Sequence, residues 1–318
     1  MSPLRVGLAG CGRLAEIAYL PALVSLSGLS LVAVADPDAG RRELAVGLAL
    51  RLGEKRPTAY RETGEMLERA ALDGLVLATP AVAHPADAAA AAEAGVAALV
   101  EKPPAADAEG AQRIASLAPA AWIGFNRRFG PLAGMRDRLM PGEHTDLHLE
   151  LQYRRESWGS VTVRDDALID LAPHLADLAL WLAAATPVEV RTVWLTPRRA
   201  RLELKTTNGR ALIACATDRP HRERAEAFAA DGRRLWSWRT GGLAHNALAR
   251  LRRGEHGLVA SIRAQLAAYE AVLRGGSPGA LARASDGLEA MRVVDAARES
   301  WGRGGAVVSL AAAVGTGA

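Results

Sequence analysis

The chain has 318 residues, of which 50% are hydrophobic and 23% charged, so it is long enough for two ordinary domains and is not a disordered chain. The net charge of +4 comes from 39 basic and 35 acidic residues that form no basic stripe and are not interleaved with aromatic residues. We therefore expect no nucleic acid partner. No charge-free run of about 20 apolar residues occurs, and we expect no membrane partner.

The cysteines and the start of the chain indicate where the protein works. Cys11 and Cys215 lie far apart, and neither they nor the histidines show metal-ligand spacing. The two cysteines are typical of free thiols in a reducing compartment. A strand pattern starts at Leu4 and leaves no room for a signal peptide. We expect a cytoplasmic protein without a bound metal.

A glycine-rich turn follows the first predicted strand, Leu4 to Ala9, and a helical pattern begins at Leu14. Gly10 permits a tight turn, Gly12 lets a pyrophosphate approach the backbone, and the small Ala15 allows the helix to pack on the strand. Phosphates would then lie at the positive end of the helix dipole. The pattern predicts a dinucleotide-binding turn.

An acidic residue ends the second predicted strand, Leu31 to Ala35. Asp36 follows the glycines by about 20 residues, where a carboxylate can bind the adenosine ribose hydroxyls. It favours NAD, because a carboxylate repels a 2′-phosphate, while Arg41 and Arg42 leave NADP open. A turn or a helix cap before Pro37 is the alternative role for Asp36.

The rest of the first half alternates strands with helices. Helices are predicted at Asp38 to about Leu52, Gly64 to Ala70, His84 to Ala94 and Asp107 to Leu117, and strands at Thr58 to Tyr60, Gly74 to Ala78, Val96 to Val100 and Ala121 to Gly124. Gly95 is the expected C-cap of the alanine-rich helix. This alternation predicts a Rossmann domain with a doubly wound parallel sheet.

One lysine stands at the end of a predicted strand of this sheet. The chain has only three lysines, Lys55, Lys102 and Lys205. Lys102 directly follows the Val96 to Val100 strand and Glu101, at the edge where open α/β sheets hold their ligands. A lysine there can hydrogen-bond a substrate oxygen. A surface lysine in a loop before proline is the alternative.

The second half is predicted to be an α+β domain with a largely antiparallel open sheet. Strands are expected at Thr145 to Tyr153, Val188 to Thr196, Arg201 to Thr206, Ala211 to Ala216, Arg224 to Ala229 and Arg233 to Trp238, and helices at Phe125 to Met140, Pro173 to Ala184, Leu258 to Arg274 and Ser285 to Trp301. Asn208-Gly209 and Asp231-Gly232 are typical hairpin turns. The expected domains are residues 1–122 and 123–318, and the last helix can pack back on the first domain.

An acid and a histidine stand four residues apart at the predicted entry of the Pro173 helix. Proline suits the first helical turn. His174 would lie near the positive end of the helix, which disfavours imidazolium and keeps a neutral base available. Asp170 could orient that imidazole. A helix cap beside a surface histidine is the alternative.

Several segments resemble the Gfo/Idh/MocA family of NAD(P)-dependent oxidoreductases, which includes glucose–fructose oxidoreductase and inositol 2-dehydrogenase. The similar segments keep the family's order. They are Val6 to Ala15, Ala78-Thr79-Pro80 with His84, Val100-Glu101-Lys102-Pro103, Gly124 to Phe129, Leu168 to His174, Asp177-Leu178, Trp181-Leu182 and Asp286 to Ser300.

The resemblance implies a dehydrogenase or reductase that transfers hydride between nicotinamide and a secondary alcohol or ketone of a sugar, cyclitol or related small molecule. It implies catalytic roles for Lys102, Asp170 and His174. The cofactor-binding residues that it implies are Gly10, Gly12, Arg13, Leu14, Asp36, Thr79, Pro80, His84, Glu101, Lys102 and Asn126. It also implies a homodimer or homotetramer formed through the C-terminal sheet.

Two departures from the family lie beside the expected substrate. Asp165-Asp166-Ala167 replaces a glycine-rich stretch, and Ala172-Pro173 replaces a pair of glycine and a polar residue. They leave the substrate class open. Reduction of an imine or another small molecule on the same scaffold is one alternative, and a non-catalytic NAD(P)-binding regulator is another. A regulator would need only the glycine turn and Asp36.

Overall fold

A computed structural model of the chain describes residues 2–140, 142–158, 166–241 and 257–310, with the backbone alone for residues 157 and 158. Asp165 lies outside the described residues. The chain forms two compact units. Unit 1 consists of Met1–Gly130 and Glu255–Leu288, and unit 2 consists of Pro131–Gly254 and Glu289–Ala318. Across the described part of the chain, every helix is too short or too polar to cross a membrane.

Unit 1 is built on a seven-stranded sheet. Its strands are β1 (Leu4–Ala9), β2 (Leu29–Ala35), β3 (Thr58–Tyr60), β4 (Gly74–Leu77), β5 (Ala97–Glu101), β6 (Trp122–Gly124) and, late in the chain, β13 (Ala282–Arg283). The parallel strands follow the order β3-β2-β1-β4-β5-β6, and β13 pairs antiparallel with β6. This is the doubly wound order, which confirms the predicted Rossmann sheet.

Helices connect these strands. They are a π-helical turn (Ala15–Tyr19) that continues into α1 (Leu20–Val24), then α2 (Ala39–Arg51), α3 (Thr63–Arg69), α4 (His84–Glu93) and α5 (Ala108–Ala115). All four residues of β4 are buried, as expected for a parallel strand with helices on both faces. Gly95 has φ +71° and ends α4 where the sequence predicts the cap.

Unit 2 is built on a second seven-stranded sheet. Its strands are β7 (Asp146–Arg154), β8 (Pro187–Thr196), β9 (Arg199–Thr206), β10 (Gly209–Ala216), β11 (Asp218–Phe228), β12 (Arg234–Gly241) and β14 (Val308–Ser309). Their order is β12-β11-β7-β10-β9-β8-β14, and every neighbouring pair is antiparallel except β7 with β10. The largely antiparallel sheet is therefore confirmed.

Helix α7 (Ala167–Ala183) packs on this sheet, but it begins earlier than predicted. Asp166 is its N-cap, and the Asp166 carboxylate accepts a hydrogen bond from the N–H of Ile169 at 2.8 Å. Pro173 consequently lies inside the helix and not in its first turn. The cap decides the start because it satisfies an otherwise unpaired N–H.

The helix predicted from Phe125 to Met140 does not form as one element. A 3-10 turn (Asn126–Phe129) and a short helix α6 (Ala133–Arg136) replace it. Gly130, between them, is extended with φ −99° and ψ −164°. The next residue is Pro131, and proline disfavours helical geometry in the residue before it.

The helix predicted at Leu258 to Arg274 forms as α8 (Gly257–Leu273), but it belongs to unit 1 and does not back the second sheet. Ile262, Leu266 and Tyr269 are buried in the core of unit 1. The hydroxyl of Tyr269 donates to the carbonyl of Ala97 at 2.6 Å. The last helix, α9 (Ala284–Gly302), begins in unit 1 and continues in unit 2, where Ser300 Oγ accepts the N–H of Thr192 at 2.9 Å.

Candidate active site

The glycine turn has the geometry that a dinucleotide needs. Gly10, at the end of β1, has φ +89°, and a Cβ atom there would lie 2.4 Å from the carbonyl carbon of Ala78. At Gly12 a Cβ atom would meet nothing within 4 Å. The helix starts at once, because the N–H of Glu16 donates to the carbonyl of Gly12 at 3.1 Å. The open backbone at a helix start fits a pyrophosphate.

Asp36 is held against this turn. It is buried at the end of β2, and its Oδ2 accepts the N–H of Cys11 at 2.9 Å while its Oδ1 accepts the N–H of Asp38 at 2.9 Å. Arg42 donates to the backbone carbonyl of Asp36 at 2.6 Å. The arginine thus binds the backbone at the end of β2. A carboxylate at this strand end suits the ribose hydroxyls of NAD.

The other predicted cofactor residues of the first half differ in exposure. Arg13 is exposed and pairs with Glu16 at 2.8 Å, whereas Leu14 packs against the core of unit 1. Thr79 follows β4, next to the glycine turn, and its hydroxyl donates to Asp87 at 2.8 Å. Pro80 beside it is exposed. Strands β1 and β4 are the neighbours where the winding reverses, which is where doubly wound folds bind ligands.

Lys102 stands at the same edge of the sheet, after β5, and is partly buried. Its backbone N–H donates to Oε2 of Glu101 at 2.9 Å. The carbonyl of the next residue, Pro103, lies 3.0 Å from Nδ1 of His84. Burial lowers the pKa of His84, which keeps that ring neutral. Two side chains therefore hold the backbone on either side of Lys102.

Glu101 and His84 were predicted to bind the cofactor, and the structure places both side chains inside unit 1. Glu101 is 5% exposed and His84 is 1% exposed. Side chains this buried support the loop that carries Lys102. Direct contact of either with the cofactor stays a prediction. Asn126, the first residue of the 3-10 turn after β6, is also buried, and its Nδ2 donates to Oγ of Ser261 on α8 at 2.9 Å.

Sequence reasoning missed Tyr19, which contacts Glu101, and Gln265, which contacts Tyr19. The hydroxyl of Tyr19 donates to Oε1 of Glu101 at 2.5 Å, and Nε2 of Gln265 donates to the Tyr19 oxygen at 3.3 Å. Tyr19 and Gln265 are both fully buried. Tyr19 and Glu101 are 82 residues apart, and no local pattern indicates that they meet.

Asp170 and His174 lie one turn apart on α7 in unit 2, Asp170 in the first turn and His174 in the second. Because α7 begins at Ala167, His174 lies beyond the first turn. The helix dipole acts mainly within that first turn. The dipole argument for a neutral His174 is therefore wrong. The histidine is buried, with 6% of its surface exposed.

Two residues before α7 contact Asp170. The hydroxyl of Tyr153, near the end of β7, donates a hydrogen bond to Oδ2 of Asp170. Nη2 of Arg155 lies 3.9 Å from the same oxygen. Burial and the charge of Asp170 raise the pKa of Tyr153, so its hydroxyl keeps its proton.

The sequence contained a signal for Tyr153. Leu147, Leu149 and Leu151 alternate along β7 and are buried on one face of the strand. Continuing that alternation places Tyr153 on the same face as the leucines. Lys102 lies in unit 1 and the Asp170–His174 pair in unit 2, so their joint action on one substrate stays a prediction.

Comparisons with known proteins agree with the fold and with the glycine turn. The family model GFO_IDH_MocA, described as an oxidoreductase family with an NAD-binding Rossmann fold, matches residues 4–121. The rhizopine catabolism protein MocA of Rhizobium meliloti is 28% identical over 319 residues, which covers 94% of this chain and 95% of that protein.

Two further proteins are similar to this chain. Inositol 2-dehydrogenase 4 of Saccharopolyspora erythraea is 32% identical over 197 residues, covering 59% of this chain and 57% of that protein. The crystal structure of the myo-inositol dehydrogenase from Lactobacillus casei, in complex with NAD(H) and myo-inositol, is 17% identical. The two structures superpose with a TM-score of 0.78 over 99% of this chain and 98% of that one, so their folds are alike.

The doubly wound sheet, the glycine turn and Asp36 define an oxidoreductase with an NAD-binding Rossmann domain. Residues 4–121 match the model of the Gfo/Idh/MocA oxidoreductases, and nearly the whole chain is similar to a protein named MocA.

Proposed function

We propose that this chain is an NAD-dependent dehydrogenase that acts on a secondary alcohol of a cyclitol or a sugar. One observation carries the proposal. Asp170 and His174 stand one helical turn apart, and the Asp170 carboxylate is held by Tyr153 with Arg155 nearby. A carboxylate fixed in this way beside a buried histidine is the arrangement of a general base and the group that orients it.

The roles follow from the chemistry of the side chains. Bound NAD would supply the hydride acceptor. His174 takes the proton of the substrate hydroxyl on an imidazole nitrogen, and Asp170 orients the imidazole. The Lys102 ammonium donates a hydrogen bond to the reacting oxygen as charge develops there. The backbone around Lys102 is held by Glu101 and His84, so the ammonium is carried by a fixed loop.

The similar proteins support a cyclitol or sugar as substrate. One is an inositol 2-dehydrogenase, and another was crystallised with NAD(H) and myo-inositol. Such substrates are small and uncharged and carry several hydroxyl groups. The donors and acceptors of Tyr153, Arg155 and Asp170 are suited to bind them through hydrogen bonds.

Steady-state kinetics on the purified protein test this function. A panel of inositol isomers and pyranoses is offered with NAD⁺, and NADH formation is followed by absorbance. Lys102→Ala and His174→Ala are expected to lower kcat/KM at least about 10²-fold. Lys55→Ala and His144→Ala are matched controls at exposed positions and should stay within about twofold of wild type. Cofactor binding without turnover of any polyol would favour a regulator instead.

We further propose a homodimer or homotetramer formed through the unit 2 sheet, in the cytoplasm. Val193, Trp194 and Leu235 are large apolar residues of this sheet, and each is more than a third exposed. The thiols of Cys11 and Cys215 are free and buried, which suits a reducing compartment. Light scattering of wild type and of Trp194→Lys tests the assembly. A monomeric wild-type protein would contradict it.

A further inference from the structure

A buried polar chain runs from the cofactor-binding helix to the loop of Lys102. Tyr19 is the last residue of the π-helical turn that follows the glycine turn. Such turns are rare and occur often at functional sites. The Tyr19 ring is fully buried, and its hydroxyl donates to Oε1 of Glu101. Glu101 ends β5, which is separated from β1 by β4 in the sheet.

Both oxygens of Glu101 are engaged by donors. Oε1 accepts the Tyr19 hydroxyl at 2.5 Å, and Oε2 accepts the backbone N–H of Lys102 at 2.9 Å. A Cβ atom at Gly124 would lie 3.0 Å from Oε1, so the neighbouring strand β6 packs closely against the carboxyl group. With both oxygens held and a strand packed against it, the carboxyl group has little freedom to rotate.

Gln265 fixes the other end of the chain. It is fully buried on α8, and its Nε2 donates to the Tyr19 oxygen at 3.3 Å. A hydroxyl that accepts a bond from Gln265 is left with its own proton to give to Glu101. The donors therefore point in one direction, from Gln265 through Tyr19 to the Glu101 carboxylate.

We propose that Tyr19 and Gln265 are positioning residues for Lys102, which they hold in its working geometry through the Glu101 carboxyl group. The inference rests on the proposed function of Lys102. A loop held by one buried hydrogen bond on each side has little freedom, and fixed placement of a donor is a large part of catalysis.

The electrostatic interactions of Glu101 also link Tyr19 to Lys102. Burial raises the pKa of Glu101, while the Tyr19 hydrogen bond and the Lys102 charge oppose that shift. Within the described residues, Tyr19 and Lys102 are the titratable groups that act on Glu101, and Gln265 and Gly124 bring no charge. Loss of the Tyr19 hydroxyl therefore favours a neutral Glu101, which accepts the Lys102 N–H less strongly.

The scarcity of lysine allows a direct test in the cofactor-free protein. Reductive methylation with ¹³C-formaldehyde labels the three lysines and the amino terminus, and Lys102→Ala assigns the Lys102 resonance. We expect this resonance to shift or broaden in Tyr19→Phe and in Gln265→Leu. The Lys55 and Lys205 resonances should stay in place. Tyr269→Phe is the control, because it removes another fully buried hydroxyl of unit 1, one that binds the Ala97 carbonyl.

Kinetics provide the second readout. Tyr19→Phe should lower kcat about 10-fold while KM and the Kd of NADH stay within about twofold, because a misplaced donor weakens chiefly the transition state. Tyr269→Phe should keep wild-type kcat in assays run below its melting temperature. Unchanged Lys102 resonances in both Tyr19→Phe and Gln265→Leu would overturn the inference. A kcat of Tyr19→Phe that is no lower than the kcat of Tyr269→Phe would also overturn it.

The two proposals fail in distinguishable ways. If Lys102→Ala keeps wild-type turnover, the proposed role of Lys102 is wrong, whatever the resonances show. If Lys102→Ala loses turnover while the Tyr19 and Gln265 variants match wild type in both readouts, Lys102 keeps its role and the positioning chain is wrong.

Discussion

The hydroxyl of Tyr153 donates a hydrogen bond to Oδ2 of Asp170 and so joins strand β7 to the first turn of α7. The carboxylate that we expect to orient His174 is thus itself oriented from the sheet. Arg155, two residues beyond Tyr153, places its guanidinium 3.9 Å from the same oxygen.

Removing the Tyr153 hydroxyl should impair catalysis more than stability. We expect Tyr153→Phe to lower kcat/KM about 10-fold, because Asp170 loses the donor that fixes it, and to cost about 1 kcal/mol of unfolding free energy. Kinetics on a confirmed substrate and urea unfolding measure the two effects. Tyr269→Phe removes a buried hydroxyl far from Asp170 in the sequence and should cost stability alone. Wild-type kcat/KM in Tyr153→Phe would contradict the role given to Asp170.

Asp36 should decide between the two cofactors. Asp36→Ser removes the charge that repels a 2′-phosphate, so the NADP-to-NAD ratio of kcat/KM should rise at least about 10-fold. Asp38→Ser is the control, because Asp38 caps α2 by accepting the N–H of Arg41 at 3.0 Å. It should leave the ratio unchanged. A ratio that does not move in Asp36→Ser would show that cofactor choice lies elsewhere.

Alanine substitutions at the two glycines of the turn should affect different properties, stability at Gly10 and NADH binding at Gly12. Gly10→Ala places a Cβ atom 2.4 Å from the Ala78 backbone at φ +89°, so it should cost more than about 2 kcal/mol of stability. Gly12→Ala meets nothing within 4 Å and should fold normally. It should nevertheless weaken NADH binding about 10-fold, because the methyl group occupies the space that a pyrophosphate approaches. Thermal melting and fluorescence titration separate the two effects, and equal destabilisation of both variants would contradict this account.

His84 should make the protein less stable in acid. Its pKa in the folded state lies below the ordinary value of 6.5, chiefly because of burial, so the unfolded chain takes up its proton first as the pH falls. The stability that neutral His84 contributes is complete above pH 6.5 and is lost as the pH falls through the folded pKa. Urea midpoints between pH 7.5 and pH 5 should fall less steeply in His84→Gln than in wild type. Parallel slopes would assign the acid sensitivity to other groups.

Much of the fold could be predicted because strands and helices leave local periodic patterns. In the first half, the predicted elements form with their ends displaced by no more than two residues. The positive φ of Gly10 and of Gly95 occurs where a tight turn and a helix cap were expected. Two errors were local as well. The Asp166 cap starts α7 early, and Pro131 interrupts the helix predicted after Phe125.

By itself the sequence determined the doubly wound sheet, the glycine turn, Asp36 at its strand end and the Asp170–His174 spacing, because each depends on residues close together in the chain. Only the tertiary structure decided that α8 belongs to unit 1, that Tyr19 binds Glu101 and Gln265 binds Tyr19, and that Tyr153 binds Asp170. Such contacts join residues 17 to 246 positions apart. They form because buried polar groups need hydrogen-bond partners, and packing brings those partners from distant parts of the chain. The periodic patterns that predict strands and helices do not indicate which distant residues will pair.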